Sequence, residues 1–382
     1  MLYFDHCAST PPYEEVIQTM MEVMKAHYAN PSSLHQRGSA AGKLIERARS
    51  LVSEQFGTRG GGWIFTSGGT ESNNMAIKGI AKQYSGRGKH LITTAIEHAS
   101  VSETFAQLEH EGFNVTYLPV SASGHVSVEQ VAEALTDETV LVSVMHVNNE
   151  IGTIQPIEQI GQWLKQYPKV FFHVDAVQSI GKLPIDIEQW GIDLVSGSAH
   201  KFRGPRGVGL LYVRNGITLY PLLTGGSQEE GMRSGTQNVP AIVAAAKALR
   251  MTRETESVRR ASMSELREQL VSIVASIPEL KLNGGAPLAP NIVHFSYPGM
   301  KPEVVIHKLE QHGIMASTKS ACSSKDNKPS QVLLALGAST EHASSGIRLS
   351  FGDEHRTQDI DSVGKALRQI VAELKPLERR LT

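Results

Sequence analysis

Lys201 stands in SGSAHKFRGPRGVG (196–209), between His200 and a loop rich in Gly and Pro. A lysine amine drawn out of water is a Schiff-base nucleophile, whereas Arg203 and Arg206 would make the same loop a phosphate site. Thr66-Ser67-Gly68-Gly69-Thr70-Glu71 sits where an apolar run gives way to a helical pattern. Glycines there admit a ligand close to the backbone, and the unpaired first N–H groups favour an anion; the same residues also read as a Gly turn with an ordinary cap. Asp175 follows FFHV, and a carboxylate in that place asks for a cationic partner or caps the next helix. Asn148 and Asn149 end VLVSVMHV in the same way, as site residues or as turn chemistry. His98, in IEHASV, either stacks on a planar ring or caps a helix. A phosphate cradle, an Asp for a pyridinium nitrogen and a later Lys for an imine, in that chain order, are the three protein groups that pyridoxal phosphate requires.

The elements that must hold these groups read as an α/β pattern. Apolar, β-branched runs at 63–66, 90–94, 114–118, 140–147, 169–174, 193–197 and 208–213 alternate with helix-period segments, which predicts a mostly parallel sheet covered on both faces. Each candidate group falls just past one of these runs, where open α/β sheets place their ligands. Only about ten residues around Lys201 separate the last two runs, so a loop or hairpin joins them. A helical pattern from Ala241 to Ile277, broken near Pro278, leads to a smaller α+β unit. The expected division is a large cofactor-binding domain at 15–255 and a small domain built from 1–14 and 256–382.

Composition narrows the classes. A length of 382 residues suits roughly two or three domains, and a net charge of -1 gives no whole-chain field for DNA, RNA or an anionic membrane. The two cysteines, Cys7 and Cys322, form no disulfide framework and no metal site, and MLYFDHCASTPP lacks a signal peptide's pattern. The expectation is a soluble, cytoplasmic protein without a membrane span, direct nucleic-acid binding or a metal. Cys322 lies in the polar stretch STKSACSSKDNKPSQ (317–331), which predicts a mobile, exposed loop whose Lys319 and Lys325 favour the thiolate. Cys7 reads as a packing residue.

SGGTESNN, IEHASV, VMHVNNEIGTIQPI, HVDAVQSIGKLPID, SGSAHKFRGPRGVGLLYV, GMRSGTQNVPAI and KSACSS together resemble the cysteine desulfurases of the NifS/IscS-like group, in the class V pyridoxal-phosphate-dependent aminotransferase superfamily. The resemblance runs from DHCASTP to IRLSFG. It implies the aspartate aminotransferase-like fold of pyridoxal-phosphate-dependent transferases, with L-cysteine converted to L-alanine and sulfur left as a persulfide on Cys322, for iron–sulfur cluster assembly, tRNA thiolation or another thio-cofactor. It further implies that Lys201 holds the cofactor covalently, that Gly69, Thr70, Ser198 and His200 bind its phosphate, that Asp175 partners the ring nitrogen, that Gln178 contacts the ring hydroxyl and that His98 stacks on the ring. Asn148 and Arg348 match residues that hold the substrate carboxylate. Thr236 matches a threonine that reaches the neighbouring subunit's phosphate, which implies a homodimer. The chain departs from the pattern at Cys7, where alanine is usual, at Ala199, at Ser323-Ser324 and in KDNKP; the spacer from Cys322 to Pro329 resembles the subgroup with an extended loop. A selenocysteine lyase or another enzyme of the same fold, and a non-catalytic adaptor, are the competing readings. Retention of Lys201, Asp175 and Cys322 argues against the adaptor.

Overall fold

A computed structural model describes residues 1–318 and 328–378 of the chain. The chain opens on strand β1 (Leu2–Tyr3) and helices α1 (Glu14–Ala26) and α2 (Gln36–Phe56). Then come the seven strands that the apolar runs predict: β2 (Gly61–Thr66), β3 (His90–Thr94), β4 (Asn114–Leu118), β5 (Thr139–Met145), β6 (Phe171–Asp175), β7 (Leu194–Ser198) and β8 (Gly209–Arg214). Helices α3 (Gly69–Gln83), α4 (Ala99–His110), α5 (Val128–Ala134) and α6 (Ile157–Leu164) lie on the crossovers between them.

These strands form one sheet in the order β2-β8-β7-β6-β5-β3-β4. It is parallel except for β8, which runs antiparallel to both β7 and β2. The exception has a local cause: the short link through Lys201 is too brief for a helical crossover and can only return the chain antiparallel. Every residue of β5, β6 and β7 is buried, as expected of strands covered on both faces. β3, β5, β6 and β7 all end at one edge of the sheet, so the segments carrying His98, Asn148, Asp175 and Lys201 meet there.

The helical run after the sheet breaks earlier than the sequence suggests. Helix α7 (Val239–Glu254) stops at Thr255 and α8 (Glu256–Ala275) starts again at once; the expected break near Pro278 is only the end of α8. Packing explains the break. Val239, Ile242, Ala245 and Leu249 of α7 join the core around the large sheet, whereas Met263, Leu266, Leu270 and Val274 of α8 join a second core with Phe4, Phe295, Leu349 and Leu367. A polar stretch, Arg253-Glu254-Thr255-Glu256, offered no periodicity by which to see the change of core.

The second core surrounds strands β9 (Lys281–Leu282) and β10 (Ile292–Ser296), helix α9 (Pro302–Gln311), strand β11 (Ile314–Met315), strand β12 (Gly346–Ser350) and helix α12 (Thr357–Glu378), while helices α10 (Gln331–Ala335) and α11 (Thr340–Ala343) pack in a separate cluster with Ile96, Met145 and Ile151. β12, β10 and β9 form an antiparallel sheet, and β1 pairs in parallel with β11, so the first residues of the chain are stitched to its last third.

Charges tie the two cores together next to the Lys201 turn. Arg203, itself buried, pairs with Asp353 at 2.6 Å and with Glu354, and Arg259 reaches Asp353 at 3.1 Å. Burial alone would raise the Asp353 carboxyl, but the Arg259 and Arg203 guanidiniums outweigh it and hold the group below its ordinary value. Removing Arg203 leaves Asp353 and Glu354 short of a partner. Arg203→Ala is expected to lower unfolding stability by about 3 kcal/mol, the low end for a broken buried pair because Glu354 stays half in water. A depressed carboxylate stabilises the fold above its unfolded value near 4, and that contribution fades as pH falls through the folded value. Urea melts of the two proteins should therefore differ at pH 7 and converge in acid.

Candidate active site

At the common carboxyl edge of β3, β5, β6 and β7 lies a cavity of about 170 Å³. Ten of the candidate site residues singled out in the sequence line it: Gly69, Thr70, His98, Asn149, Asp175, Gln178, Ser198, His200, Lys201 and Arg348. They come from elements far apart in the chain, and the sheet edge is what brings them together.

The floor at one end is the start of α3. A Cβ on Gly69 would lie 2.8 Å from Val177 Cγ2, and one on Gly209 would run into Thr66 Oγ1 at 2.3 Å, so glycine is required at both places for the backbone to pass. The turn is pinned by Ser67 N, which donates to Glu71 Oε2 at 2.7 Å, and Glu71 in turn holds Arg233 at 2.8 Å. The first-turn N–H groups of a fifteen-residue helix thus face the cavity beside Ser198, a fitting seat for a phosphate.

Asp175 is fixed from two sides: Asn73 Nδ2 donates to Oδ2 at 2.8 Å and Val177 N to Oδ1 at 3.0 Å. Buried at the end of β6, the carboxylate offers its charge to a cationic ring nitrogen. His98 caps α4, its Nδ1 accepting from Ser100 N at 3.1 Å. Burial lowers the basicity of its imidazole, with Asp175 opposing and Lys201 adding to the effect, so the ring stands neutral on the wall. His200 is likewise pushed down to about 4, first by burial and then by Lys201, Arg206 and Lys182. Lys201 sits in a single 3-10 turn, and its Nζ donates to the carbonyls of Cys7 and of Ala8, the latter at 2.8 Å.

Arg348 lies on β12, almost wholly buried. Nη1 donates to Asn149 O at 2.7 Å, Nη2 pairs with Asp5 at 3.0 Å, and Nε has no partner among the described residues. A guanidinium held in this way presents a planar, oriented cation to the cavity.

Two sequence candidates stand elsewhere, and a third lies outside the described residues. Asn148 is fully buried and off the cavity wall: its Nδ2 donates to Ile96 O at 2.9 Å, and its Oδ1 accepts from Glu150 N and Ile151 N at 2.9 and 3.0 Å. The amide is used in building the turn, and the next residue, Asn149, lines the cavity in its place. Thr236 is exposed on a loop away from the cavity. Cys322, with the loop predicted around it, lies outside the described residues. The flanks of that segment are anchored at the site: Ser317 N donates to Arg348 O at 3.2 Å, and Ser330 Oγ donates to Glu150 Oε2 at 2.6 Å.

No sequence pattern points to Asn73 or to the backbone of Cys7. Asn73 sits one helical turn after Gly69, and its link to Asp175 spans 102 positions, which no local pattern reveals. Cys7 packs against Val147, Leu183, Ala289 and Ile292 as expected, yet it also borders the cavity, and its carbonyl accepts from both Lys201 and Gln178.

Residues 2–363 match the family described as aminotransferase class V. The chain belongs to the class V aminotransferases. Among curated members, cysteine desulfurase IscS of Clostridium botulinum is 44% identical over 98% of this chain and 96% of its own. Among solved structures, a NifS-like protein superposes with a TM-score of 0.90 at 36% identity, covering 98% of this chain and 99% of that one. SspA in complex with cysteine gives 0.82 at 36% identity over 92% and 99% of the two chains. The fold is therefore that of the NifS-like class V enzymes, a large mostly parallel sheet with a smaller α+β unit.

Proposed function

We propose that this class V enzyme is a cysteine desulfurase that uses pyridoxal 5'-phosphate, releases L-alanine from L-cysteine and keeps the sulfur on Cys322. The carrying observation is the cavity itself: an α3 start shaped for a phosphate, a buried carboxylate at a strand end and a lysine in a tight turn face one another across about 170 Å³. This set fits the cofactor, because Gly69 clears the space that any side chain would fill and Asp175 is held as an acceptor by two donors. Gly69, Thr70, Ser198 and His200 would hold the phosphate, Asp175 the ring nitrogen, Gln178 the ring hydroxyl and His98 the ring face. The cofactor, when bound, withdraws electrons from the substrate's Cα.

The chain's own residues do the rest. Arg348 binds the cysteine carboxylate, with Asn149 and Asp5 fixing the guanidinium; Asn148 shapes the turn that carries Asn149. Lys201 Nζ takes and returns the proton at Cα. The Cys322 thiolate attacks the substrate sulfur, so that an S–S bond forms as the substrate's Cβ–S bond breaks and alanine leaves. Ser317, five residues before Cys322 in the chain, donates its N–H to Arg348 O at 3.2 Å, so the described flank of that segment ends beside the cavity. The persulfide then passes to an acceptor protein of an iron–sulfur or thiolation pathway. In this reading residues 15–255 bind the cofactor, while 1–14 and 256–382 carry the cysteine and Arg348. Cysteine desulfurase is the name of the curated relatives, which does not favour the selenocysteine lyase alternative. Purified enzyme given L-cysteine and a reducing thiol, which turns the persulfide over, should release alanine and sulfide in equal amounts; pyruvate in place of alanine would indicate elimination, and 3-mercaptopyruvate transamination.

Arg348→Lys tests the carboxylate contact. An ammonium cannot offer two parallel donors, so KM for cysteine should rise at least tenfold with cofactor content unchanged. An unchanged KM would remove Arg348 from substrate binding.

The homodimer belongs to the same proposal. Ile17, Met21 and Met24 repeat on the outer face of α1 and remain exposed, as do Tyr28 and Leu34 beyond it, an apolar face that a second copy would cover. Thr236, exposed on its loop, is then free to reach the partner's phosphate seat. Light scattering after size exclusion should give twice the 41.5 kDa chain mass, and an active monomer would contradict this part. No helix among the described residues is long and apolar enough to cross a membrane, and the proposed setting is the cytoplasm.

A further inference from the structure

Behind the Gln178 wall of the cavity sits a second lysine. Lys182 is only 5% exposed, and its Nζ donates to Gln178 O at 3.2 Å and to Gln178 Oε1 at 3.4 Å. Among the described residues no carboxylate lies within ion-pair distance of it, and after burial the cations Lys201, Arg259 and Arg203 weigh against its charge. Burying an ammonium without an acid beside three other cations is costly, and a lysine kept there purely for packing would be replaced to advantage by an apolar residue.

The hydrogen bonds say where its influence goes. Lys182 Nζ holds Gln178 Oε1, Gln178 Nε2 donates to Cys7 O at 3.0 Å, and the same carbonyl accepts from Lys201 Nζ. The two lysines are thus joined through the Gln178 amide and the Cys7 carbonyl. We propose that Lys182 is a positioning residue for Lys201: its buried charge orients the Gln178 amide and opposes a second positive charge at Lys201 Nζ, so that this nitrogen remains unprotonated to lower pH. The inference rests on the reading of Lys201 as the cofactor lysine. A lysine beside another cation is a recognised way to obtain a reactive amine at neutral pH.

Among the described residues, other groups also face Lys201. From the α4 cap His98 is neutral, and from its own turn so is His200. Asp175, at the end of β6, favours a proton on Lys201, although two donors already claim its oxygens. Arg348, from β12, is engaged by Asp5 and Asn149. The Lys182 ammonium is itself pushed down to about 8, by burial first and with Lys201 contributing, and so is still charged at pH 7.

The test is the pH titration of the visible absorption of the holoenzyme, which reports the protonation of the lysine–cofactor linkage without any turnover. Lys182→Gln keeps a donor for Gln178 and removes the charge; its midpoint should move up by roughly one pH unit, with the acidic limb of the kcat/KM profile moving in step. Lys182→Arg should return the midpoint to that of the parent. A parental midpoint in Lys182→Gln, or a midpoint in Lys182→Arg that matches the Gln variant, would overturn the inference. If instead Lys201→Ala keeps the full visible band, the underlying assignment of Lys201 fails, a separate outcome.

Discussion

Lys201→Ala should purify without the visible band of a covalently held cofactor and should form no measurable alanine from cysteine, a loss of at least about three orders of magnitude. The expectation rests on placement. Among the described residues, Lys201 is the only lysine on the cavity wall; Lys182 stands behind it and turns its Nζ to Gln178. The variant should still fold, since the turn is held by backbone contacts such as Thr10 N to His200 O at 2.9 Å and Gly204 N to Ala199 O at 2.8 Å, neither of which uses the side chain. It should also still bind the cofactor non-covalently, because the phosphate seat and Asp175 are intact. A melting curve near that of the parent, together with a spectrum of bound but unlinked cofactor, would separate loss of the nucleophile from loss of the fold. A full band in the variant would transfer the role to another lysine.

Cys322→Ser should be the complementary case. Cofactor content, visible spectrum and dimer should match the parent, because no group described on the cavity wall depends on that thiol. Sulfide and alanine production from cysteine should fall at least a hundredfold, since a serine hydroxyl at neutral pH is no substitute for a thiolate as a nucleophile toward sulfur. Cys7→Ser should leave turnover within a few-fold of the parent, as its part in the site is played by its carbonyl, which the substitution keeps. Turnover surviving in Cys322→Ser but lost in Cys7→Ser would exchange the two cysteines.

The strands were legible because their apolar runs are long and β-branched, and both faces of the sheet are covered, so alternation was not needed to see them. The site edge was legible for a related reason: Asp175 and Lys201 are polar residues placed directly after such runs, where a polar side chain must have business. What the sequence hid is long-range or local in detail. That Asn73 fixes Asp175, or that Asp5 and Asn149 fix Arg348, depends on contacts across 102, 343 and 199 positions. Asn148 and Asn149 were indistinguishable by type, and only the turn geometry, in which the first asparagine spends its amide on Ile96, Glu150 and Ile151, gives the cavity to the second. The break at Thr255 was hidden because a helix that changes its core without a proline or glycine carries no mark in its sequence.

Sulfur from the substrate should come to rest on one cysteine of this chain. The enzyme incubated briefly with L-cysteine, alkylated under non-reducing conditions and digested, should show by mass spectrometry one added sulfur on the peptide containing Cys322 and none on the peptide containing Cys7, with the addition absent in Lys201→Ala. Alanine formed with no added sulfur at Cys322, or the sulfur found at Cys7, would contradict it.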